Sequence, residues 1–206
     1  MGMLFDLFGR RKERAYPDAE VERRLPPGQS LTDKWPVLHY GSVPRRAPAQ
    51  WDFRVWGLVE NPWRWSYDEF LALGQAKITT DIHCVTRWSR FDTEFEGVPM
   101  QAVLDAVKPR TEAKYVMVHA ENGFTTNVPL ADLQMPNVMF ANRADGADLE
   151  PEHGWPMRLV VPHLYFWKSA KWVRGLEFLA ADAPGFWEEA GYHMRGDPWK
   201  EERYGW

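Results

Sequence analysis

The 206-residue chain contains a single cysteine, Cys84, with Arg87 and Trp88 following it closely. A single cysteine cannot form an internal disulfide, and it cannot belong to a site that needs several cysteines, such as a CxxC metal site. It can be an inert buried thiol, a nucleophile, or one thiolate ligand of a metal whose other ligands come from elsewhere. The residue type alone leaves these three interpretations open.

Three further segments, residues 39–46, 153–158 and 167–172, place hydrogen-bond donors beside glycine, proline or tryptophan. Arginine and lysine donate charge-assisted hydrogen bonds, and glycine lets backbone amides approach a ligand, so this combination favours a buried anion. Taken singly, the lysines could be solvated surface charges and the histidines ordinary loop residues. We therefore base the prediction of an anion site on the whole set: His39, His153, Arg158, Lys168, Ser169 and Lys171.

Short strands and short helices are expected to position these residues. No regular long βαβ units separate them, so the predicted fold class is α+β in one domain. Residues 1–34 are charged and contain a Pro-Pro-Gly run, which predicts a loosely structured N-terminal arm, followed by a domain over 35–206 whose tail wraps over the body. The expected elements are strands over 51–59, 78–84, 115–119, 158–161 and 171–179, helices over 66–73, 99–107 and 129–133, and a hairpin turn at 144–147.

Composition and charge exclude several classes of function. The net charge of −4 gives no bulk attraction to nucleic acid, and no run reaches the roughly 18 apolar residues that a membrane span needs. The Arg10-Arg11 pair resembles a twin-arginine signal, but charged residues follow it where an apolar stretch should be. Asp6 stands where a myristoylation motif needs Ser or Thr. We therefore expect a cytoplasmic protein.

Three motifs in order resemble one known family. They are the strand-end Cys84, a His-Gly-x-Pro-x-Arg stretch from His153 to Arg158, and a Lys-Ser-x-Lys-Trp stretch that begins at Lys168. The chain from about residue 35 to residue 206 resembles the molybdenum-cofactor domain of sulfite oxidases and their bacterial relatives, including the catalytic subunit of the periplasmic methionine-sulfoxide reductase. The resemblance implies the sulfite-oxidase-type fold and a molybdenum–molybdopterin cofactor.

The resemblance also implies roles for individual residues. Cys84 would be the thiolate bonded to molybdenum, since a soft thiolate suits a metal that already holds sulfur ligands. Tyr192 would be a catalytic tyrosine, because it lies thirty-nine residues after His153, as in sulfite oxidases, and Trp187 matches the tryptophan five residues before it. The pterin and its phosphate would be held by His39, His153, Arg158, Ser169 and Lys171, with Lys168 as a further candidate.

The chain also departs from the sulfite oxidase pattern. Val37 and Leu38 stand where those enzymes carry an anion-binding arginine just before the first histidine, and the nearest cations after the cysteine are Arg87 and Arg90. Arg87 could replace that anion contact, pair with the pterin phosphate, or pair with an acidic neighbour such as Asp92 or Glu94. Sulfite specificity therefore does not follow from the resemblance.

We predict a molybdenum-cofactor oxidoreductase that transfers an oxygen atom to or from a small oxyanion or sulfoxide-type substrate. Because the chain has no CxxCH motif, electrons should pass to or from a separate redox partner protein. The alternative is a non-catalytic module that binds a pterin or another anion with the same fold. A cysteine hydrolase would need His83 or His119 as its base, and His83 is badly placed because neighbours in a strand point to opposite faces.

Overall fold

The computed structural model describes residues 16–205 of the chain. Within this range, short strands dominate and form two sheets, and the helices are brief. The strands are β1 (Ser30–Leu31), β2 (Asp52–Gly57), β3 (Trp63–Ser66), β4 (Ala76–His83), β5 (Trp88–Pro99), β6 (Tyr115–Ala120), β7 (Thr125–Pro129), β8 (Met139–Ala144), β9 (Ala147–Asp148), β10 (Arg158–Val160) and β11 (Val173–Leu179).

The α-helices connect these strands and span at most eight residues each. Two of them begin at or within one residue of the predicted start. Ser66 caps α2 and forms a capping box with Glu69, and Pro99 precedes the first residue of α3. The helices are α1 (Asp18–Arg24), α2 (Tyr67–Leu71), α3 (Met100–Val107), α4 (Leu130–Leu133) and α5 (Phe186–Glu189). None of the helices within residues 16–205 has the length and apolar character needed to cross a bilayer.

The two sheets have different topologies. The first follows the order β1-β5-β8-β10, with β4 also paired to β5 and β9 to β8. The second follows the order β3-β2-β11-β6-β7, in which β11 pairs with β2 in parallel and with β6 in antiparallel fashion. The β8–β9 pair turns at Asp145-Gly146, which confirms the predicted hairpin.

One hydrophobic core joins the second sheet to the first. Phe53 of β2, Phe70 of α2 and Phe140 of β8 are fully buried, and their ring centroids lie 4.8–5.2 Å apart. A smaller cluster contains Ile82 of β4 and Phe95 of β5. Because Ile82 lies two residues before Cys84, this cluster holds the end of the strand from which Cys84 emerges.

Part of the predicted arm is regular, which corrects the expectation of loose structure over residues 16–34. Helix α1 carries Arg24, whose guanidinium pairs with Asp81 and Asp92 at 2.6 Å, and β1 pairs with β5 in parallel. The physical reason is that a charged residue of the arm finds partly buried acidic partners on the body. Residues 1–15, with the targeting motifs considered above, lie outside the described residues, and the division of the chain at residue 34 stays a prediction.

Candidate active site

A cavity of about 320 Å³ opens beside Cys84. It lies where the turn after β4, the loop before β2 and the segment between β10 and β11 meet. Six of the nine predicted site residues line it: His39, Cys84, Arg158, Ser169, Lys171 and Tyr192. Aromatic rings make up much of the remaining wall, including Trp35, Trp88, Trp167, Trp172 and Trp187.

Cys84 occupies the first position of a tight turn between β4 and β5. Its backbone amide donates to the carbonyl of Trp88 at 2.9 Å, and its carbonyl accepts from the amide of Arg87 at 3.0 Å. The sulfur lies 3.1 Å from the hydroxyl of Thr86. Burial raises the pKa of the Cys84 thiol, although Thr86 and the charges of Lys171 and Arg203 oppose this shift. A bound metal would keep the sulfur deprotonated in spite of its burial.

Arg158 is fully buried, and its guanidinium is satisfied by backbone carbonyls alone. It donates to the carbonyl of His153 at 2.8 Å and to that of Ser169 at 2.9 Å. Burial lowers the pKa of Arg158 to about 9. Gly154 allows this packing, because its φ is +114° and a Cβ there would lie 3.0 Å from the Cβ of Arg158 and 3.2 Å from that of Lys171.

Lys171 also packs against Gly154 and lines the cavity. Its ammonium donates to the carbonyls of Leu38 at 2.8 Å and Glu152 at 2.6 Å. Burial and the charge of Arg158 lower the pKa of Lys171 to about 7. Among residues 16–205, neither Arg158 nor Lys171 forms an ion pair with a carboxylate, so this wall of the cavity carries positive charge that an anionic ligand could neutralise.

Ser169 and His39 are further polar residues of the lining. The Ser169 hydroxyl accepts a hydrogen bond from the amide of Val161 at 2.9 Å and is nearly completely buried. His39 is exposed at the rim, where its Nδ1 lies 3.0 Å from the carbonyl of Gly41 and its ring stands edge-on to Trp172. The structure thus brings both residues to the cavity, one at its wall and one at its mouth.

Tyr192 lines the cavity among tryptophans. Its ring stacks on Trp187 with centroids 5.1 Å apart and stands edge-on to Trp167 at the same separation. Burial raises the pKa of Tyr192, and the neighbouring Tyr204 and the charge of a Cys84 thiolate raise it further. The hydroxyl therefore keeps its proton at neutral pH and can act as a hydrogen-bond donor.

His153 lies behind the cavity lining. Its ring stacks on Trp35 with centroids 4.1 Å apart, its Nε2 lies 3.2 Å from the Trp35 carbonyl, and its own carbonyl accepts from Arg158. Burial, together with the charge of Arg158, lowers the pKa of His153 to about 4, so the ring is neutral. In this structure His153 orients Trp35 and Arg158, and a direct cofactor contact stays a prediction.

Lys168 and Arg87 also lie outside the lining. Lys168 is fully buried and bound to the Glu188 carboxylate at 2.6 Å and to the backbone carbonyls of Asn127 and Met194. Arg87 is exposed, with a φ of +73°. The two acidic neighbours proposed for Arg87 pair with other cations, Asp92 with Arg24 and Glu94 with Lys77. The roles predicted for Lys168 and Arg87 stay untested.

Two lining residues next to Cys84 in the chain have polar atoms at the cavity but did not enter the predicted site. The Thr86 hydroxyl contacts the Cys84 sulfur, and the indole nitrogen of Trp88 is buried without a hydrogen-bond partner among the described residues. Both belong to the segment singled out around Cys84, but nothing in their residue types marked them as site residues. A buried, unpaired donor is costly, so the Trp88 nitrogen is a ready contact for a ligand in the cavity.

The donor set fits a molybdenum cofactor. A single soft thiolate suits a metal that arrives with its own sulfur ligands. Within residues 16–205, no cluster of three or more His, Cys, Asp or Glu side chains could hold a metal by itself. The unpaired cations Arg158 and Lys171 and the free Trp88 donor match the phosphate and heterocycle of a pterin.

The hydrolase alternative does not agree with the geometry. His83 is buried, its Nδ1 lies 2.8 Å from the Ser89 hydroxyl, and burial lowers its pKa to about 4. His119 lies on β6, where its Nε2 is 3.2 Å from the carboxylate of Glu177. Neither histidine lines the cavity with Cys84, so neither can serve as its general base there.

The fold and the cavity define a cofactor-binding oxidoreductase domain, and comparison with known proteins gives the family. The model of the oxidoreductase molybdopterin binding domain matches residues 40–187. The chain is 47% identical over 184 residues to the uncharacterized oxidoreductase YuiH of Bacillus subtilis, covering 89% of this chain and 93% of YuiH. The chain belongs to the oxidoreductase molybdopterin binding domain family.

More distant relatives share the domain within longer proteins. A protein of Azospira oryzae named as a protein-methionine-sulfoxide reductase subunit, YedZ1, is 29% identical over 183 residues, which cover 88% of this chain and 66% of that protein. A nitrate reductase of Emericella nidulans is 30% identical over 188 residues, covering 77% of this chain but 21% of the reductase.

A solved structure shows the same fold. The sulfane dehydrogenase SoxCD of Paracoccus pantotrophus superposes with a TM-score of 0.64 at 19% identity, over 85% of this chain and 57% of that chain. The predicted α+β fold of the sulfite oxidase type is confirmed, and so are the predicted cofactor class and oxidoreductase class. The residue assignments within the site stay predictions.

Proposed function

We propose that this protein transfers an oxygen atom to or from a small oxyanion or sulfoxide-type substrate, using a molybdenum cofactor held in the cavity. One observation carries the proposal. The only cysteine lies in the wall of a cavity that also contains two cations, the fully buried Arg158 and the half-buried Lys171, without carboxylate partners among the described residues. A thiolate beside unpaired positive charge suits a sulfur-ligated metal on an anionic pterin better than it suits an inert core thiol.

Each residue of the lining would have a definite task. When bound, the cofactor supplies two-electron redox chemistry coupled to oxygen-atom transfer. Cys84 would ligate its metal, while Arg158, Lys171 and Ser169 would hold the anionic and hydrogen-bonding groups of the pterin. The tryptophans of the wall would exclude water and pack against the flat ring system.

Tyr192 would bind the substrate oxygen as a hydrogen-bond donor. Its raised pKa keeps the hydroxyl protonated, and its position in the lining gives it access to the cavity. A positioned phenol stabilises negative charge that develops on an oxygen atom during the reaction. An oxyanion and a sulfoxide both present such an oxygen.

The range of substrate and partner follows from the relatives named above. Their names include a methionine-sulfoxide reductase subunit, a nitrate reductase and a sulfane dehydrogenase, which supports an oxyanion or a sulfoxide here. The reaction leaves two electrons to be supplied or removed, so we assign a separate redox protein as partner. A cytoplasmic location is part of the same proposal.

The test is the cofactor content and activity of the protein purified from cells that supply molybdopterin. We expect about one molybdenum and one pterin per chain, and reduction of methionine sulfoxide or nitrate by reduced benzyl viologen. Cys84→Ser should retain the pterin but lose more than about 100-fold in activity. Substitution of residues that merely support a metal ligand already lowers metal affinity or activity by about 10–100-fold. Ser66→Ala, at the remote cap of α2, serves as the matched control.

Two outcomes would count against the proposal. Folded wild-type protein without molybdenum, in cells where another molybdenum enzyme is loaded, would contradict it. Protein that holds pterin tightly but shows no metal-dependent turnover with any oxyanion or sulfoxide would favour the non-catalytic binding module.

A further inference from the structure

Arg203, in the C-terminal tail, is a buried cation outside the predicted site and outside the cavity lining. It is 5% exposed, and its guanidinium lies 4.9 Å from the centre of the Tyr165 ring. Its nearest carboxylate, on the exposed Glu201, is 3.7 Å away. A cation this deep in the structure is costly unless its donors are used, so its contacts indicate what it does.

The side chain of Arg203 holds the turn that presents Cys84. Its Nη1 donates to the carbonyl of Val85, the residue after the cysteine, at 2.7 Å. Its Nη2 lies 3.4 Å from the carbonyls of Pro27 and Gly28 in the N-terminal segment. The side-chain amide of the next residue, Gln29, donates to the Cys84 carbonyl at 2.9 Å. Arg203 therefore connects the cysteine turn with the N-terminal segment, whose Gln29 is also hydrogen-bonded to that turn.

The backbone of Arg203 holds the segment that presents Tyr192. Its carbonyl accepts from the amide of His193 at 3.2 Å, and the next residue, Tyr204, forms an antiparallel bridge with Tyr192. The amide of Gly205 donates to the carbonyl of Gly191 at 3.0 Å. A short two-stranded contact therefore joins the residues around Arg203 to the residues around Tyr192.

We propose that Arg203 is a positioning residue that fixes Tyr192 relative to Cys84. Its backbone is paired with the tyrosine segment and its side chain with the cysteine turn, so this one residue spans the two. This inference rests on the proposed function, in which these two residues act on the same substrate. Arginine suits the task because its rigid planar fork holds separate donor nitrogens at fixed positions, so that Nη1 meets the cysteine turn while Nη2 faces the N-terminal segment.

Hydrogen exchange measured by mass spectrometry on the full chain tests the link. Arg203→Met keeps the apolar stem and removes every donor. We expect amide exchange to become about tenfold faster both at residues 84–89 and at residues 191–193. The substitution removes the charged hydrogen bonds to the cysteine turn, and the backbone that pairs with the Tyr192 segment then loses its attachment to that turn. Arg203→Lys keeps the charge and should recover part of the protection from exchange. It also provides the test if Arg203→Met does not fold.

Arg110→Met is the matched control, because Arg110 also donates to a backbone carbonyl, that of Val59 at 3.1 Å, away from the cavity. It should leave both segments unchanged. In the molybdenum-loaded protein, Arg203→Met should also shift the absorption band of the cysteine–molybdenum bond, which a general loss of stability would not do.

Faster exchange at only one of the two segments, or equal effects of Arg203→Met and Arg110→Met, would overturn the positioning role. The exchange result does not depend on the metal. Wild-type protein without molybdenum would therefore defeat the proposed function while the exchange pattern still decides the role of Arg203.

Discussion

Lys168 and Lys171 stand three residues apart in one motif, yet the structure gives them opposite surroundings. Lys168 is fully buried against Glu188, whose carboxylate oxygen lies 2.6 Å from the ammonium. Lys171 lines the cavity, and among residues 16–205 its ammonium donates to the carbonyls of Leu38 and Glu152 and to no carboxylate. One ammonium is neutralised within the chain, and the other is left with its charge uncompensated.

The difference teaches how to separate a structural cation from a ligand-binding one. The same oxygen of Glu188, Oε1, also accepts from the indole of Trp167 and the hydroxyl of Thr126, so Lys168 belongs to a hydrogen-bonded network within the fold. A buried charge with a matched carboxylate maintains the fold, whereas a buried charge held only by carbonyls retains attraction for an anion. On this ground Lys171 is a stronger candidate than Lys168 for the pterin phosphate.

Lys168→Met should have the largest effect on stability. It leaves the buried Glu188 carboxylate without its cation, and breaking a buried ion pair typically costs about 3–5 kcal/mol. Urea unfolding followed by fluorescence measures the loss. The double variant Lys168→Met with Glu188→Gln removes the stranded charge and should recover most of the stability. If Lys168→Met by itself is as stable as wild type, Lys168 is not the structural cation that the comparison makes it.

Lys171→Met should act on the cofactor and hardly on the fold. The lost hydrogen bonds are offset by relief from burying an uncompensated charge, so the free energy of unfolding should change by less than about 1 kcal/mol. The pterin retained after dialysis, measured by fluorescence of the released ring, should fall about tenfold or more. If Lys168→Met and the double variant Lys168→Met/Glu188→Gln lost as much pterin as Lys171→Met does, the distinction between a structural and a ligand-binding lysine would be wrong.

Ser66→Ala gives the smallest effect and marks the baseline for both lysines. The Ser66 hydroxyl accepts from the amide of Glu69, while the Glu69 carboxylate accepts from the amide of Ser66 at 2.8 Å. Losing such a cap costs about 1 kcal/mol, and thermal or urea unfolding should show it. Pterin content should equal that of wild type, because the cap of α2 is not part of the cavity. A change in pterin content here would mean that cofactor retention simply follows stability.

Local features of the fold could be predicted because they depend on neighbours in sequence. The capping box at Ser66, the proline before α3 and the Asp145-Gly146 hairpin all appear where their residue types require them. Cys84 follows β4 directly, next to its predicted place at the end of a strand over 78–84. Each of these depends on interactions within about five residues.

Features that depend on distant partners could not be predicted. Strand β5 went unrecognised because it carries polar residues such as Arg90, whose guanidinium is neutralised by Asp145 from the β8–β9 turn. Strand β7 is also absent from the strands expected from the sequence, and its pairing with β6 extends it over five residues. The role of Arg203 was hidden for the same reason, since its acceptors lie more than a hundred residues away.

The sequence by itself determined the chemistry of the protein: one cysteine, a set of cations in a recognisable order, and the family to which they belong. Only the tertiary structure decided which cations face the cavity and which are neutralised by carboxylates inside the fold. Residue type and spacing set what a side chain can bind, but burial and the nearest opposite charge set what remains free to bind. Those two quantities arise only when segments far apart in the chain, such as Glu188 and Lys168 or Arg203 and Val85, come into contact.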